Sequence, residues 1–270
     1  MKRYGALLPL LFASAAMAGQ MDTLNGDNLI GLNRIESAAE YLPLGVVYGA
    51  AGADEAAPAA DQFVFTGGLE PGDALYVYDR AGAQYRVFEL ERTTAGDEWQ
   101  PRRVVQVAGG QFETVAGAAA ADTALAPGYG AWLYRPGAAS RTNQTVLAGG
   151  QVRTAKFSVE LAAAVDGKAF GRTLIAVPAS PGGNFALNGG AIDWAVAGAA
   201  AGDEIRVPQV DGSQQAICYD GEKWVRRYYV VVNGVKRLRT DNDPTLPAGT
   251  AVWYARKAGA GAMAIEWGEP

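Results

Sequence analysis

Short runs of alternating, β-branched and aromatic residues, separated by glycine turns, make up most of the chain. Residues 75–79 and 84–90 form two such runs around a turn at Ala81-Gly82. No segment keeps a sustained helical period, although a short helix fits around Trp194. Strands that turn about every ten residues are typical of antiparallel sandwiches or barrels. The pattern therefore predicts an all-β protein.

The clearest element is a hairpin centred on Asn233-Gly234. Asn-Gly suits a two-residue type I′ turn because both central residues need a positive φ. That register places Arg237 opposite Val230 and Arg239 opposite Tyr228. Charged and apolar side chains then share one face, so the pattern alone does not say which face is buried.

Four landmarks occur twice in the same order, at offsets of 145, 130, 125 and 121 residues. The falling offsets indicate that a second copy follows the same plan with shorter loops. So long a period favours two tandem domains over a solenoid or propeller. We therefore expect two divergently duplicated antiparallel β-sandwich or barrel-like domains, at residues 19–147 and 148–270. The landmarks are a Leu-Ile run (Asn28 and Thr173), a Gly-Asp pair (Asp73 and Asp203), a Trp before two Arg (Trp99 and Trp224), and Gly-x-x-x-Trp-x-x-Arg (Trp132 and Trp253).

This order of landmarks resembles the repeat of exported, surface-associated bacterial tandem-repeat β-domain proteins of uncharacterised function. The resemblance covers most of the chain after residue 18. It implies an exported β-domain and no particular activity.

The N-terminus has the pattern of a secretory signal peptide. Lys2 and Arg3 precede an apolar run, and Ala16-Met17-Ala18 offers a small-x-small cleavage site. The run is shorter than the about 20 residues that a membrane helix needs. We expect residues 1–18 to be removed, leaving 252 residues without a membrane span. The mature protein would be secreted, periplasmic or at the cell surface.

The amino-acid composition excludes several classes of catalytic and metal-binding site. The chain has no histidine and one cysteine, Cys218, which excludes Ser-His-Asp and Cys-His catalysis, histidine-ligated metals and thiolate clusters. Cys218 is expected to be a small buried residue on a strand. Loss of Lys2 and Arg3 moves the net charge from −5 to −7, which argues against a nucleic-acid partner. We predict no cofactor.

Carboxylate chemistry remains, since a glycosidase needs only two suitably spaced acids. Glu89 and Glu91 share one face of a strand. Asp73 and Asp203 are duplicated, but Gly-Asp before a strand more often forms a turn in which Asp caps its own backbone. Asp241-Asn242-Asp243 lacks the downstream Gly and Glu of a calcium loop. We predict neither a catalytic residue nor a metal site.

The duplicated tryptophans allow two roles. Trp132 and Trp253 lie in apolar strands, so we expect them to anchor the two cores. Trp99 and Trp224 follow acidic turns, where exposure is more plausible. These two are the candidates for a ligand or partner surface.

The hairpin concentrates positive charge in an otherwise acidic protein. Its cations either form a solvated edge that discourages sheet-to-sheet pairing or bind an anionic partner such as an acidic polysaccharide. Within fourteen residues they are Arg226, Arg227, Lys236, Arg237 and Arg239. With the two tryptophans, the candidate ligand-binding residues are Trp99, Trp224, Arg226, Arg237 and Arg239.

Three functions follow. The leading one is a secreted, non-catalytic β-module for cell-surface structure or protein interaction. The alternatives are an extracellular carbohydrate-binding protein and a carboxylate-dependent glycoside hydrolase or lyase. Cell-surface proteins and polysaccharides are accordingly the expected partners.

Overall fold

The computed structural model confirms an all-β protein with antiparallel sheets. Within the part of the chain that it describes, no helix is long and apolar enough to cross a membrane. The predicted signal peptide, residues 1–18, lies outside the described residues. The structure describes residues 30–37, 40–46, 57–58, 63–66, 69–79, 84–94, 96–106, 112–116, 124–125, 128–137, 141, 144–151, 157–165, 167–178, 184–209 and 213–267.

The first large sheet has six strands in the order β2-β10-β5-β6-β7-β8. A second sheet has three strands in the order β1-β11-β4, and β3 pairs with β9. These strands are β1 (Ile30–Ser37), β2 (Tyr41–Gly45), β3 (Ala57–Pro58), β4 (Phe63–Thr66), β5 (Ala74–Asp79), β6 (Gln84–Thr93), β7 (Gly96–Gln106), β8 (Phe112–Ala116), β9 (Ala124–Leu125), β10 (Gly130–Tyr134) and β11 (Gln144–Gln151).

The second large sheet has six strands in the order β13-β20-β15-β16-β17-β18, and the pairs β12-β21 and β14-β19 accompany it. The one-turn helix α1 (Trp194–Ala197) confirms the expected helix, with Asp193 as its N-cap. The strands are β12 (Phe157–Leu161), β13 (Phe170–Ala176), β14 (Asn184–Ala186), β15 (Glu204–Pro208), β16 (Gln214–Tyr219), β17 (Trp224–Val232), β18 (Val235–Asp241), β19 (Thr245–Pro247), β20 (Ala251–Lys257) and β21 (Met263–Trp267).

The chain divides into two compact units. One contains residues 1–42, 48–126 and 132–154, and the other contains residues 43–47, 127–131 and 155–270. Two short segments from the first half of the sequence therefore belong to the second unit. Tyr129, in one of them, packs against the second unit's core, and its hydroxyl accepts a hydrogen bond from the Glu160 amide. The domain limits drawn from the sequence stay a prediction.

The two six-stranded sheets have their strands in the same order. In each, the strand after Gly-Asp (β5 or β15) lies beside the strand bearing Gly-x-x-x-Trp (β10 or β20). The Leu-Ile landmark, however, does not correspond. Thr173 lies in β13, beside β20, whereas Ile30 begins β1 in the three-stranded sheet. The strand that pairs with β10 is β2, so sequence matching chose the wrong strand there. Duplication itself remains a prediction.

The Gly-Asp landmarks form the same turn twice. Gly72 and Gly202 have φ of 95° and 94°, the third position of a type II turn, which favours glycine. The Asp73 amide donates to the Glu70 carbonyl at 3.0 Å, and the Asp203 amide donates to the Ala200 carbonyl at 2.8 Å. Each Asp carboxylate in turn accepts from the backbone amide three residues earlier, at 3.0 Å. The predicted turn role of both aspartates is confirmed.

Both turns bury their carboxylates completely. Asp203 Oδ2 accepts hydrogen bonds from Tyr254 Oη at 2.8 Å and from Arg256 Nη1 at 2.5 Å. Its Oδ1 accepts from the Lys257 amide at 2.8 Å. Burial, followed by the Asp203 charge, raises the pKa of Tyr254 well above its ordinary value. The Tyr254 phenol therefore stays a hydrogen-bond donor to Asp203. The hydrogen bonds from Tyr254, Arg256 and Lys257 hold β20 against the turn before β15.

Asp203→Asn should lower the free energy of unfolding by about 3–5 kcal/mol, because it leaves the buried Arg256 guanidinium without its counter-charge. Urea denaturation followed by circular dichroism measures this. Asp193→Asn is the matched control and should change little, since Asn caps a helix as well as Asp does. Equal stabilities for the two variants would contradict a structural role for the Asp203–Arg256 pair.

Candidate functional site: the cationic hairpin

The hairpin of β17 and β18 extends beyond the rest of its sheet. β16 pairs with β17 only at Trp224, Val225 and Arg226, whereas β18 follows β17 to its end. Asn233 and Gly234 have φ of 52° and 77°, which confirms the predicted type I′ turn. We call residues 226–241 the cationic hairpin.

Both faces of the cationic hairpin are open to solvent. Tyr229 is 70% exposed and Leu238, directly opposite, is 55% exposed. Val231 and Val235 near the tip are exposed as well. The sequence left open which face is buried, and the structure buries neither.

The register distributes the cations over the two faces. Arg237 lies opposite Val230 and Arg239 opposite Tyr228, as predicted from the turn. Lys236 and Arg227 occupy the other face, because successive side chains of a strand alternate. Apart from the half-buried Arg226, these cations are exposed. One face carries Arg226, Tyr228, Val230, Arg237, Arg239 and Asp241. The other face carries Arg227, Tyr229, Val231, Lys236, Leu238 and Thr240.

Arg226 is anchored inside the hairpin. Its Nη2 forms an ion pair with Asp241 Oδ2 on the facing strand. Its guanidinium lies 5.9 Å from the centre of the Tyr228 ring, within cation–π range. Arg226 therefore joins the two strands at the base of the hairpin, while the Arg237 and Arg239 side chains are exposed.

Trp224 is a core residue, so its candidacy for a ligand or partner surface is wrong. It is 0% exposed and packs against Trp194, Tyr219 and Tyr254, with ring centres 5.2, 5.3 and 5.8 Å away. Asn188 fixes its backbone by accepting from the Trp224 amide and donating to its carbonyl. Because Trp224 begins β17 on the inward side of the sheet, its ring cannot stack on a ligand.

Trp99 faces the same side of its sheet as the buried Leu90, to which it is paired. Its ring is half-buried and lies 5.7 Å from that of Phe65. Trp132 and Trp253, expected as core anchors, are half-buried on the opposite faces of their strands. The alternate residues of β10 and β20, such as Leu133 and Tyr254, fill the cores instead.

The acidic candidates are engaged in structural contacts. Arg102 forms ion pairs with both Glu89 and Glu91. The Asp243 amide donates to Asp241 Oδ1 at 3.1 Å, so Asp-Asn-Asp forms a turn. Among the described residues, no group of three or more carboxylates or thiols is arranged to hold a metal ion.

Cys218 lies on strand β16, as expected, but its side chain is exposed rather than buried. Partial desolvation, with a smaller effect from Glu204, raises the pKa of the thiol. Arg227 and Arg206 act in the opposite direction, but the net rise in pKa disfavours the thiolate that nucleophilic chemistry needs.

No protein-family model, curated protein or solved structure matches the chain.

Trp224→Ala should lower the free energy of unfolding by about 3–5 kcal/mol, the usual cost of removing a buried large aromatic. Trp253→Ala removes the same side chain from a half-buried position and should cost clearly less. Urea denaturation monitored by circular dichroism compares the two variants. A smaller loss for Trp224→Ala than for Trp253→Ala would contradict the assignment of Trp224 to the core.

Proposed function

We propose that the chain is an exported, non-catalytic β-module for cell-surface structure or protein interaction, and that the cationic hairpin is its contact surface. The observation that carries the proposal is the exposure of cations and large apolar side chains on both faces of one hairpin. Exposed apolar groups clustered in this way are typical of interaction sites.

Protection of a sheet edge explains only part of this surface. Lysine and arginine on an edge strand discourage unwanted pairing, and that accounts for Lys236, Arg237 and Arg239. It does not account for Tyr229 and Leu238, whose exposure would favour association rather than prevent it. A partner that covers both kinds of side chain accounts for the whole set.

Charge indicates the chemistry of the partner. The chain as a whole carries a net charge of −5, yet five of its 23 lysines and arginines lie between residues 226 and 239. Such a patch attracts an acidic surface and speeds its encounter, more strongly at low salt. We therefore propose an acidic protein segment as the partner.

The edge of β18 adds main-chain groups to this surface. Among the described strands, β18 pairs only with β17. An extended acidic segment can hydrogen-bond along such an edge while its side chains contact the alternating cations and apolar groups. This mode would combine main-chain affinity with charge selectivity.

The carbohydrate alternative loses its first site assignment, since Trp224 is buried. An acidic polysaccharide on Arg237 and Arg239 remains the second candidate, favoured by their exposure. The hydrolase or lyase alternative is weakened because Glu89 and Glu91 both pair with Arg102. Hydrolysis of a polysaccharide by the purified chain would contradict the non-catalytic assignment.

Arg237→Glu combined with Arg239→Glu should weaken binding to immobilised poly-glutamate at least about tenfold, because both contacts change from attraction to repulsion. Surface plasmon resonance at low ionic strength and at about 0.15 M measures this, and salt should weaken wild-type binding.

The matched control is Lys168→Glu with Arg172→Glu, two exposed cations away from the hairpin. It changes the net charge equally and should retain binding. Equal losses in both double variants, or no wild-type binding at low salt, would contradict the assignment. Preference for an acidic polysaccharide over poly-glutamate would favour the second candidate.

A further inference from the structure

Four tyrosines form a continuous row across one face of the first six-stranded sheet. Tyr41, Tyr134, Tyr76 and Tyr85 come from the adjacent strands β2, β10, β5 and β6. Successive ring centres are 4.8, 6.4 and 6.4 Å apart, within the range of favourable aromatic contacts. We call these four residues the tyrosine row.

The tyrosine row faces away from the core. Leu75, Val77 and Leu133, the alternate residues of β5 and β10, are fully buried on the other side of the sheet. Tyr41 and Tyr85, at the two ends of the row, are 55% and 39% exposed, and the two rings between them are half-buried. The row therefore presents aromatic surface at both ends and phenol groups along its length.

The rings support one another. Tyr41 and Tyr134 are stacked at 29°, and Tyr76 meets both Tyr134 and Tyr85 edge-on at 75°. Such contacts hold each ring in place. A ligand would therefore meet a prearranged surface and order few side chains on binding.

Polar groups adjoin the row on the same face. Val87 lies opposite Tyr76 on one side and opposite Arg102 on the other, so Arg102 shares the face of the tyrosine row. Glu89, two residues after Val87 on the same strand, lies opposite Gln100. Arg102 forms ion pairs with Glu89 and Glu91. At the other end, Glu40 lies close enough to the Tyr134 phenol to raise its pKa. The face thus offers amide and guanidinium donors and carboxylate acceptors beside aromatic rings.

The phenols of Tyr76 and Tyr134, in the middle of the row, stay neutral. Burial, followed by the neighbouring Tyr41 and Tyr134, raises the pKa of Tyr76. Burial and Tyr41 likewise raise the pKa of Tyr134. Neutral phenols both donate and accept hydrogen bonds.

We propose that the tyrosine row and the adjoining Glu89–Arg102–Glu91 cluster form a binding face for a neutral polysaccharide. The C–H groups on one face of a sugar ring carry partial positive charge and are attracted to the negative face of an aromatic ring. Sugar hydroxyls at the ring edge then meet the carboxylates, the guanidinium and the phenols. This face shares no residue with the cationic hairpin, and the proposal does not depend on the hairpin's function.

Charge selects a neutral ligand over an acidic one. Glu40, Glu89, Glu91 and Glu98 lie along this face, with Arg102 as the cation among them. An acidic polysaccharide or an anionic lipid surface would be repelled. A protein partner would need a larger apolar centre than two exposed tyrosines, since interface cores are depleted of charged groups.

Affinity electrophoresis of the full chain tests the proposal, with native gels that each contain hydroxyethyl cellulose, xylan, galactomannan or alginate. We expect at least one neutral polysaccharide to retard the protein. Tyr41→Ala with Tyr85→Ala should weaken that retardation at least about tenfold, because two exposed rings are lost. Tyr41→Phe with Tyr85→Phe should keep most of it.

Tyr228→Ala with Tyr229→Ala removes two exposed tyrosines from the cationic hairpin and should leave neutral-polysaccharide binding unchanged. An unchanged circular dichroism spectrum establishes that each variant folds. The proposal is overturned if no neutral polysaccharide retards the chain, or if the Tyr41 and Tyr85 alanine variant binds as wild type. Retardation by alginate alone, lost in the Arg237 and Arg239 glutamate variant, would also overturn it and place a glycan on the hairpin.

Discussion

In the second six-stranded sheet, Arg256 forms an ion pair with Asp203, whose carboxylate has no access to solvent. Removal of two charges from water is costly, so the pair is retained only where further hydrogen bonds complete it. Tyr254 and the Lys257 amide supply them from the same strand, β20. The Tyr254 ring then packs on Trp224 at the start of β17. A path of buried contacts thus runs from the Gly-Asp turn to the base of the cationic hairpin.

The first unit meets the same constraint with different residues. Asp73 is buried in an identical turn, but its carboxylate is bridged by both terminal nitrogens of Arg141, at 2.5 and 2.8 Å. Arg135, which holds the sequence position corresponding to Arg256, is fully buried close by, and burial lowers its pKa. The conserved element between the two turns is therefore a buried aspartate that needs a cation. Arg141 supplies this cation in the first unit, and Arg256 supplies it in the second.

Local chemistry carried the predictions that the structure confirms. Asn233-Gly234 determines a turn and, through it, the pairing of Arg237 with Val230, while Gly-Asp determines a capped turn. It was harder to predict which face of a strand is buried. In Ala131-Trp132-Leu133-Tyr134 both alternating sets of side chains are apolar, and a shift of one residue exchanges the core face and the surface face. The tyrosine row depends on pairing between β2 and β10, which lie far apart in sequence, and no local pattern reveals that neighbourhood.

The cationic hairpin and the tyrosine row differ in charge, so the partner proposed for the hairpin is acidic and the ligand proposed for the row is neutral. The proposed function depends most on whether an acidic partner binds at the cationic hairpin. Hydrogen–deuterium exchange of the full chain, with and without poly-glutamate, measures this directly. We expect slower amide exchange confined to residues 227–240, with residues 168–172 unchanged. Slower exchange elsewhere and none in the cationic hairpin would contradict the account.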